Sequence, residues 1–453
     1  MSPQSSASRP LISNPVVPFS EPAYLTGLPS PYYNDSHYAW QAHCRSFISS
    51  QFANALSWED EGDVPETLFK TFADANMIVP AFPAPLPVEQ LKAAGIHEFA
   101  SGLKVEDFDY FHSMIYTDEM LRIGLSGPAA SINTGVAYGI PPLYKFGSPA
   151  LQRRFLPDLF HGRTRCCIAI TEPSAGSDVA NISTTATKSS CGKYYIVTGQ
   201  KKWITNGIWS DYATMAVRTG GPGPNGISLL FVPLKENEGK GVERRRIKIS
   251  GGGTSGTTFI DLDEVKVPVE NLIGKEGMGM KYIMTNFNHE RLTIAIGATR
   301  SARVVLAAAA EYVMKREAFG KTLVEQPVVR HRIAKCAVML ESQWAWVEQI
   351  VYMMQKLEKK VGDVELGGVT AMCKANSGMV LSECSQCAVL LFGGNGLTRS
   401  GLGETVEKIF REVNVVRIPG GSEDVLLDLG VRQLVKIFQA KTLALEATRG
   451  SKL

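Results

Sequence analysis

The chain has 453 residues, enough for two to four domains and a large core. With 44% apolar, 20% charged and 9% aromatic residues, it has the composition of a folded globular protein, which excludes a disordered or disulfide-stapled module. Its net charge of +3 and pI of about 8.3 fall short of the strongly basic balance of a dedicated nucleic-acid binder.

Residues 1–36 are rich in Pro and Ser and carry no helical or strand period, which predicts a loosely held arm. The same stretch lacks the apolar centre of a secretory signal, and no uninterrupted apolar run reaches about eighteen residues, so no membrane span is expected. Residues 37–164 read as helical, with HYAWQAHCRSFISSQFANAL and DYFHSMIYTDEMLRIG placing apolar groups three and four apart. Residues 165–276 change to short runs such as KYYIVTG, KKWIT, GISLLFVPL and TTFIDL, separated by Gly, Asn or Pro, which predicts a β domain. From 277 to 440 the helical pattern returns. Two long bundle helices are expected, over 292–316 and 329–359, and the apolar stripe of the second is read as packing rather than cofactor binding. Residues 441–453 form a tail ending in Ser451, Lys452 and Leu453, the tripeptide read by the peroxisomal import receptor when free at a chain end.

The eight cysteines lack paired metal-site spacing and are expected as reduced thiols. No early GxGxxG follows a strand, the Gly320-Lys321-Thr322 triplet lacks the first phosphate-loop glycine, and no GxSxG elbow is present. His289 has no HExxH partner, so no metal is expected. The run Arg244-Arg-Arg-Ile-Lys248 opens a predicted strand and reads as a solvated edge.

Two stretches carry more chemistry. In Ala169-Ile-Thr-Glu-Pro-Ser-Ala-Gly-Ser-Asp178 a strand ends in small residues and hydroxyls. Thr171, Ser177 and the main-chain N–H groups around Ala175 and Gly176 could bind a planar heterocycle and a diphosphate; an ordinary turn reads equally well. In Lys202-Trp-Ile-Thr-Asn-Gly207 the strand period puts Trp203 and Thr205 on one face, suited to a flat ring or to a core.

These stretches, with Arg316-Glu-Ala-Phe-Gly-Lys321 followed by Gln326, and Phe392-Gly-Gly-Asn-Gly396, resemble the acyl-CoA dehydrogenase family from about residue 105 onward. The resemblance implies an α+β fold: an N-terminal α-helical domain, a middle β domain and a C-terminal four-helix bundle, usually in a homotetramer. It implies FAD as cofactor, with Ile168, Ile170, Thr171, Gly176, Ser177, Trp203, Ile204 and Thr205 around the flavin ring. Arg316, Phe319, Gln326, Leu390, Gly393 and Gly394 would reach the diphosphate and adenine from a neighbouring subunit, and Ser422 and Asp424 complete the cofactor set. Leu390 departs from the family's frequent Gln.

The chemistry of that family needs a base for the α-proton of a thioester, and a desolvated carboxylate suits it. Many members carry the base in a YEGT-like loop, where this chain has Pro419-Gly-Gly-Ser422, so Gly420 stands in its place. A minority resembling the isovaleryl and long-chain enzymes carries it on a C-domain helix, where this chain has Glu290. Ser177, Asn288, Arg291, Gly420 and Gly421 would then bind the acyl-CoA substrate, with Arg291 on the CoA chain. The implied reaction is α,β-dehydrogenation in the peroxisome. The electron acceptor is open between electron-transfer flavoprotein and O₂: an O₂-using oxidase fits the peroxisomal address, while a chain shorter than typical acyl-CoA oxidases favours a dehydrogenase. Nitroalkane oxidase is disfavoured because its base, an Asp, belongs where Gly420 stands. A flavin-loaded scaffold without turnover is the reading from another class, and Glu290 argues against it.

Overall fold

The computed structural model describes residues 16–450, with side chains through Glu446; the tripeptide Ser451-Lys452-Leu453 lies outside the described residues. The N-terminal domain is helical, with α1 (Asp35–Gln51), α2 (Ala55–Glu61), α3 (Leu68–Asp74), α4 (Val88–Ala93), α5 (Tyr110–Met120), α6 (Gly127–Thr134), α7 (Pro141–Phe146) and α8 (Pro149–Phe160). A single π turn, Gly135–Gly139, continues α6. Asn34 and Asp109 cap α1 and α5 reciprocally with the histidines three residues on, His37 and His112. His37 also reaches Asp109 at 3.2 Å, which ties the two caps together.

The expected loose arm is partly corrected. Residues 16–34 are packed: Tyr24 stacks on Tyr33 with centroids 3.7 Å apart, and buried Glu21 accepts hydrogen bonds from Arg45 and Arg122. Arg300 and Arg303 donate to the carbonyls of Ser20 and Phe19. Aromatic burial and neutralised charge hold this strap, two contributions that a Pro- and Ser-rich composition conceals.

The middle domain is an eight-stranded sheet: β1 (Cys166–Ala169), β2 (Thr185–Lys188), β3 (Tyr194–Ile204), β4 (Tyr212–Arg218), β5 (Ile227–Pro233), β6 (Val242–Arg246), β7 (Thr258–Pro268) and β8 (Leu272–Ile273). The order is β6-β7-β3-β2-β4-β5-β8, and β1 pairs in parallel with β4, end to end with β2. Strand β6 is an edge, as expected, but the arginine run closes the strand rather than opening it, and the Arg244 side chain is withdrawn from solvent. There Arg244 binds the carbonyls of Gly207 and Ser210, and Arg246 binds that of Gly62.

The C-terminal domain begins with α9 (Gly279–Met284) and continues through α10 (Phe287–Lys315), α11 (Pro327–Lys356), α12 (Lys359–Glu365), α13 (Gly367–Phe392), α14 (Glu404–Arg417) and α15 (Glu423–Gly450). A short hairpin of β9 (Glu317–Ala318) and β10 (Lys321–Thr322) follows α10. Helix α15 runs unbroken past 440, so the expected boundary between bundle and tail is not a structural break.

The stretch Gly279–Lys315 is long and apolar enough to cross a bilayer, yet 78% of its most apolar window is buried inside the protein. Its longer part, α10, is shared by two cores. Leu292, Ala295 and Ile296 pack with the N-terminal domain, whereas Ala302, Val305, Leu306 and Val313 pack with α11 and α13. A buried pair, Arg300 and Asp118, bolts α10 to α5 at 2.7 Å. The first turn of α10 is thereby fixed where the N-terminal domain meets the bundle. All eight cysteines are free thiols, as expected.

Candidate active site

The structure gathers the sequence-derived residues into three groups. In the first, β1 leads through Ile168 and Ile170 into the segment ending at Ser177, and β3 runs beside it. The Lys202 N–H donates to the Thr171 carbonyl at 2.9 Å. Beneath lies a buried pair that sequence reasoning did not single out. The Lys201 ammonium donates to Glu172 at 2.8 Å and to the Ile170 carbonyl at 3.0 Å. Glu172 accepts in turn from the N–H groups of Ser183 and Thr184. Burial raises the Glu172 carboxyl, but the Lys201 charge and these hydrogen bonds outweigh it and hold the group down to about 2. Glu172 was visible inside the quoted motif, but its partner twenty-nine residues on carries no spacing signal.

Two expectations for this group change. The strand ends at Ile204 and shifts register between Lys201 and Ile204, with Trp203 at φ +65. Trp203 therefore presents its ring, 51% exposed, from a bulge, and Thr205 follows in the turn rather than one pleat on; Ile204 itself is buried. The Ala175 N–H is also not free, because it closes on the Glu172 carbonyl at 3.2 Å. Gly176 and Ser177 remain exposed.

The second group surrounds Glu290, in the first turn of α10. Asn286, the residue before that helix, donates to the Ala137 carbonyl at 3.0 Å and ties the helix start to the π turn. The connection between α14 and α15 faces this turn. Gly420 and Gly421 have φ of +68 and +101, which favour glycine. A Cβ on Gly420 would stand 3.7 Å from Glu290 Oε1 and only 2.6 Å from Ile294 Cδ1. No larger residue fits at 420 without displacing Ile294, and the carboxylate on α10 reaches the space such a residue would enter.

Burial pushes the Glu290 carboxyl up to about 7, against the pull of Arg291 and Lys374. Tyr138, on the π turn, faces it: burial first, and then the Glu290 charge, raise its phenol. Arg291 is buried, lies 5.0 Å over the Phe287 ring and leaves its Nε without a partner among the described residues. Ser422 and Asp424 follow at the start of α15. Asn288 points elsewhere: its amide donates to the Asp363 carbonyl at 3.1 Å and accepts from Thr370 at 3.2 Å. It also lines a cavity of about 230 Å³ shared with Pro85, Lys145 and His289.

The third group lies at the far end of α10. Arg316 precedes the β9–β10 hairpin, whose turn residues Phe319 and Gly320 have φ of +55 and +77, so Phe319 stands 94% exposed. Gln326 precedes α11. Tyr312 stacks on Phe392 at 4.2 Å and brings in the turn after α13, where Leu390 is 64% exposed and Gly393 and Gly394 have no neighbour within 4 Å of an added Cβ. From Glu290 to Arg316 the helix rises about 40 Å.

This geometry fits a flavin cofactor. An exposed Trp ring stands beside the Thr171 segment, open glycines can approach a diphosphate, and a half-buried carboxylate pushed up to about 7 sits at the helix junction.

Family models agree along the chain. The acyl-CoA dehydrogenase N-terminal domain matches residues 34–163, the middle domain 167–265 and the C-terminal domain 277–435. The acyl-CoA dehydrogenase apdG of Emericella nidulans is 62% identical over 434 residues, covering 96% of this chain and 98% of that protein. The acyl-CoA dehydrogenase AFT10-1 of Alternaria alternata is 36% identical over 422 residues, covering 92% and 95%. The crystal structure of acyl-CoA dehydrogenase from Geobacillus kaustophilus superposes with a TM-score of 0.77 at 28% identity, covering 90% of this chain and 100% of that one. With all three domains matched and relatives of this similarity along almost its whole length, the chain belongs to the acyl-CoA dehydrogenase family of FAD-dependent oxidoreductases.

Proposed function

We propose that this chain oxidises an acyl-CoA thioester to the trans-2-enoyl-CoA with Glu290 as the base. The observation that carries the reading is the half-buried Glu290 carboxylate set against the Gly420 turn, with its carboxyl pushed up to about 7 by desolvation. Above about pH 7 it is ionised and takes the α-proton. FAD, when bound, supplies the acceptor for the β-hydrogen as hydride. Main-chain N–H groups at Gly420 and Gly421 serve the thioester oxygen as charge develops there, and the unpartnered Arg291 Nε serves the CoA chain. Ile168, Ile170, Thr171, Gly176, Ser177, Trp203, Ile204 and Thr205 hold the ring on the β-domain side.

The third group needs a second copy of the chain. Arg316, Phe319, Gln326, Leu390, Gly393 and Gly394 lie too far along α10 from Glu290 to serve the same flavin within one chain. An exposed Phe319 and Leu390 suit a partner surface, in keeping with a homotetramer. Ser451-Lys452-Leu453, at a free chain end, would direct the protein to the peroxisome through the import receptor, a location that a fluorescent fusion with and without the tripeptide tests.

The decisive experiment mixes FAD-loaded protein anaerobically with a panel of acyl-CoAs, follows loss of the oxidised flavin absorbance in the parent and in Glu290→Gln, and then admits air. Bleaching by the parent alone is expected. Equal bleaching by the variant refutes Glu290 as base, and rapid recolouring in air assigns O₂ rather than electron-transfer flavoprotein as acceptor.

A further inference from the structure

Helix α13 sends one buried lysine to the turn that faces Glu290. Lys374 is 1% exposed, and its ammonium donates to the carbonyls of Arg417 and Gly421, both at 2.7 Å. Those two carbonyls bracket Gly420. The connection they belong to contains two left-handed glycines, so the lysine supplies the cross-link that fixes it to the bundle.

The same ammonium acts electrostatically on Glu290. Burial raises the carboxyl, and the charges of Arg291 and Lys374 oppose that rise. Reciprocally, burial holds Lys374 down to about 8, while Glu290 and Glu423 favour its charged form and Arg291 and Arg417 oppose it. The other charged and titratable groups facing the pair are Arg417, Arg291 and Tyr138. Arg417 is bound to Glu423 at 2.9 Å, Arg291 lies over the Phe287 ring, and the Tyr138 phenol is held protonated.

We propose that Lys374 is a positioning residue of the reaction, fixing the Gly420–Gly421 turn against Glu290 and setting its charge on the same side of the site as that carboxylate. This rests on Glu290 being the base. A base on α10 and a turn between α14 and α15 have no shared backbone to keep them in register, and a cation on α13 that binds one and attracts the other supplies it.

The test titrates Glu290 directly on FAD-loaded protein without substrate. It follows the protonated-carboxyl stretch in infrared difference spectra between each protein and its Glu290→Gln counterpart, in the parent, Lys374→Gln and Lys374→Arg backgrounds. Removing one neighbouring opposite charge raises a carboxylate by about one pH unit. Lys374→Gln, which can still donate to carbonyls, is therefore expected to move the midpoint up by about one unit and to shift the acid limb of anaerobic flavin bleaching equally, with Lys374→Arg following the parent. An unchanged midpoint in a Lys374→Gln protein that retains its FAD and melting temperature overturns the proposal. If Lys374→Gln does not fold, Lys374→Met replaces it. If neither neutral variant folds, Lys374→Arg decides, and a midpoint that departs from the parent's by a full unit overturns the proposal. Should Glu290→Gln bleach as fast as the parent, the assignment of the base falls, and the titration still reports whether Lys374 and Glu290 are coupled.

Discussion

Replacing Glu290 by Gln should abolish turnover and stabilise the protein, and the pH dependence of the second effect identifies its cause. In the folded protein the carboxyl titrates near 7, against 4.5 for an ordinary glutamate. Between those values the folded state keeps a proton that the unfolded state has lost, so the stability this residue contributes falls as pH rises through the window. A shift of this size corresponds to about 3 kcal/mol, and water reaching a half-buried side chain reduces it to about 2 kcal/mol. Glutamine cannot ionise. The variant should therefore melt with the parent near pH 4.5 and about two degrees above it at pH 8. From pH 8 to pH 6, α-proton removal by the parent should drop about tenfold, and Gln should lower it by about 10²–10⁴-fold at pH 8. The assay pairs melting of FAD-loaded protein at the two pH values with stopped-flow bleaching. A stability difference that is the same at pH 4.5 and pH 8 would refute the argument from burial, even with activity lost.

The Gly420 turn should resist enlargement for two separable reasons. Gly420→Ala is expected to cost about 2 kcal/mol through left-handed strain and contact with Ile294. Adding Ile294→Val, which removes the Cδ1 atom, should recover part of that cost in a double-mutant cycle of denaturation midpoints, and simple additivity would contradict the packing. Glu172→Gln strips the partner from buried Lys201 beneath the flavin segment, so the purified protein should carry less FAD, read from its visible-to-ultraviolet absorbance ratio, and should melt lower. Asp118→Asn takes from buried Arg300 its two-pronged partner and leaves Glu21 at 3.7 Å as the remaining close carboxylate, so it should lower stability by about 3 kcal/mol. Glu412→Gln should behave like Glu290→Gln in stability alone. Burial, with the nearby Glu59 charge, pushes Glu412 up to about 7, so the variant gains at pH 8 and not at pH 4.5, with bleaching unaffected.

The sequence showed most clearly what depends on local pattern. The period of 3.6 over α10 and α11 and the short β-rich runs between Gly and Pro gave the three-part order, because each element buries a face that its own residues define. The position of the base came from a likeness to relatives, and its geometry from the fold. Legibility ended where distant residues meet. Lys374 stands alone in an apolar stretch, Thr370-Ala-Met-Cys-Lys374, and such a lone cation in a buried helix is a visible anomaly; its partners, though, are main-chain carbonyls forty-three and forty-seven residues away. Lys201 beside Glu172 is the same case. The bulge at Trp203 was hidden for a different reason, since alternation along a strand gives no sign of one extra residue.

The position of the carboxylate relative to the thioester is what the chemistry constrains, and the element carrying it is free to differ. Here the left-handed turn at Gly420 and the Ile294 methyl remove room for a side chain on the loop, and the same absence of a side chain opens the space that Glu290 faces. The two features are complementary: a glutamate at both positions would set two carboxylates within contact in a water-poor site, where like charges cannot both ionise. On the reading proposed above, a base at the start of α10 sits on a helix bolted through Arg300 to Asp118 and shared between two cores. A general base has to hold hydrogen-bond distance to the proton it removes, and a rigid helix keeps that distance better than a loop can. The facing turn carries two left-handed glycines, and the buried ammonium of Lys374 ties it to the same frame.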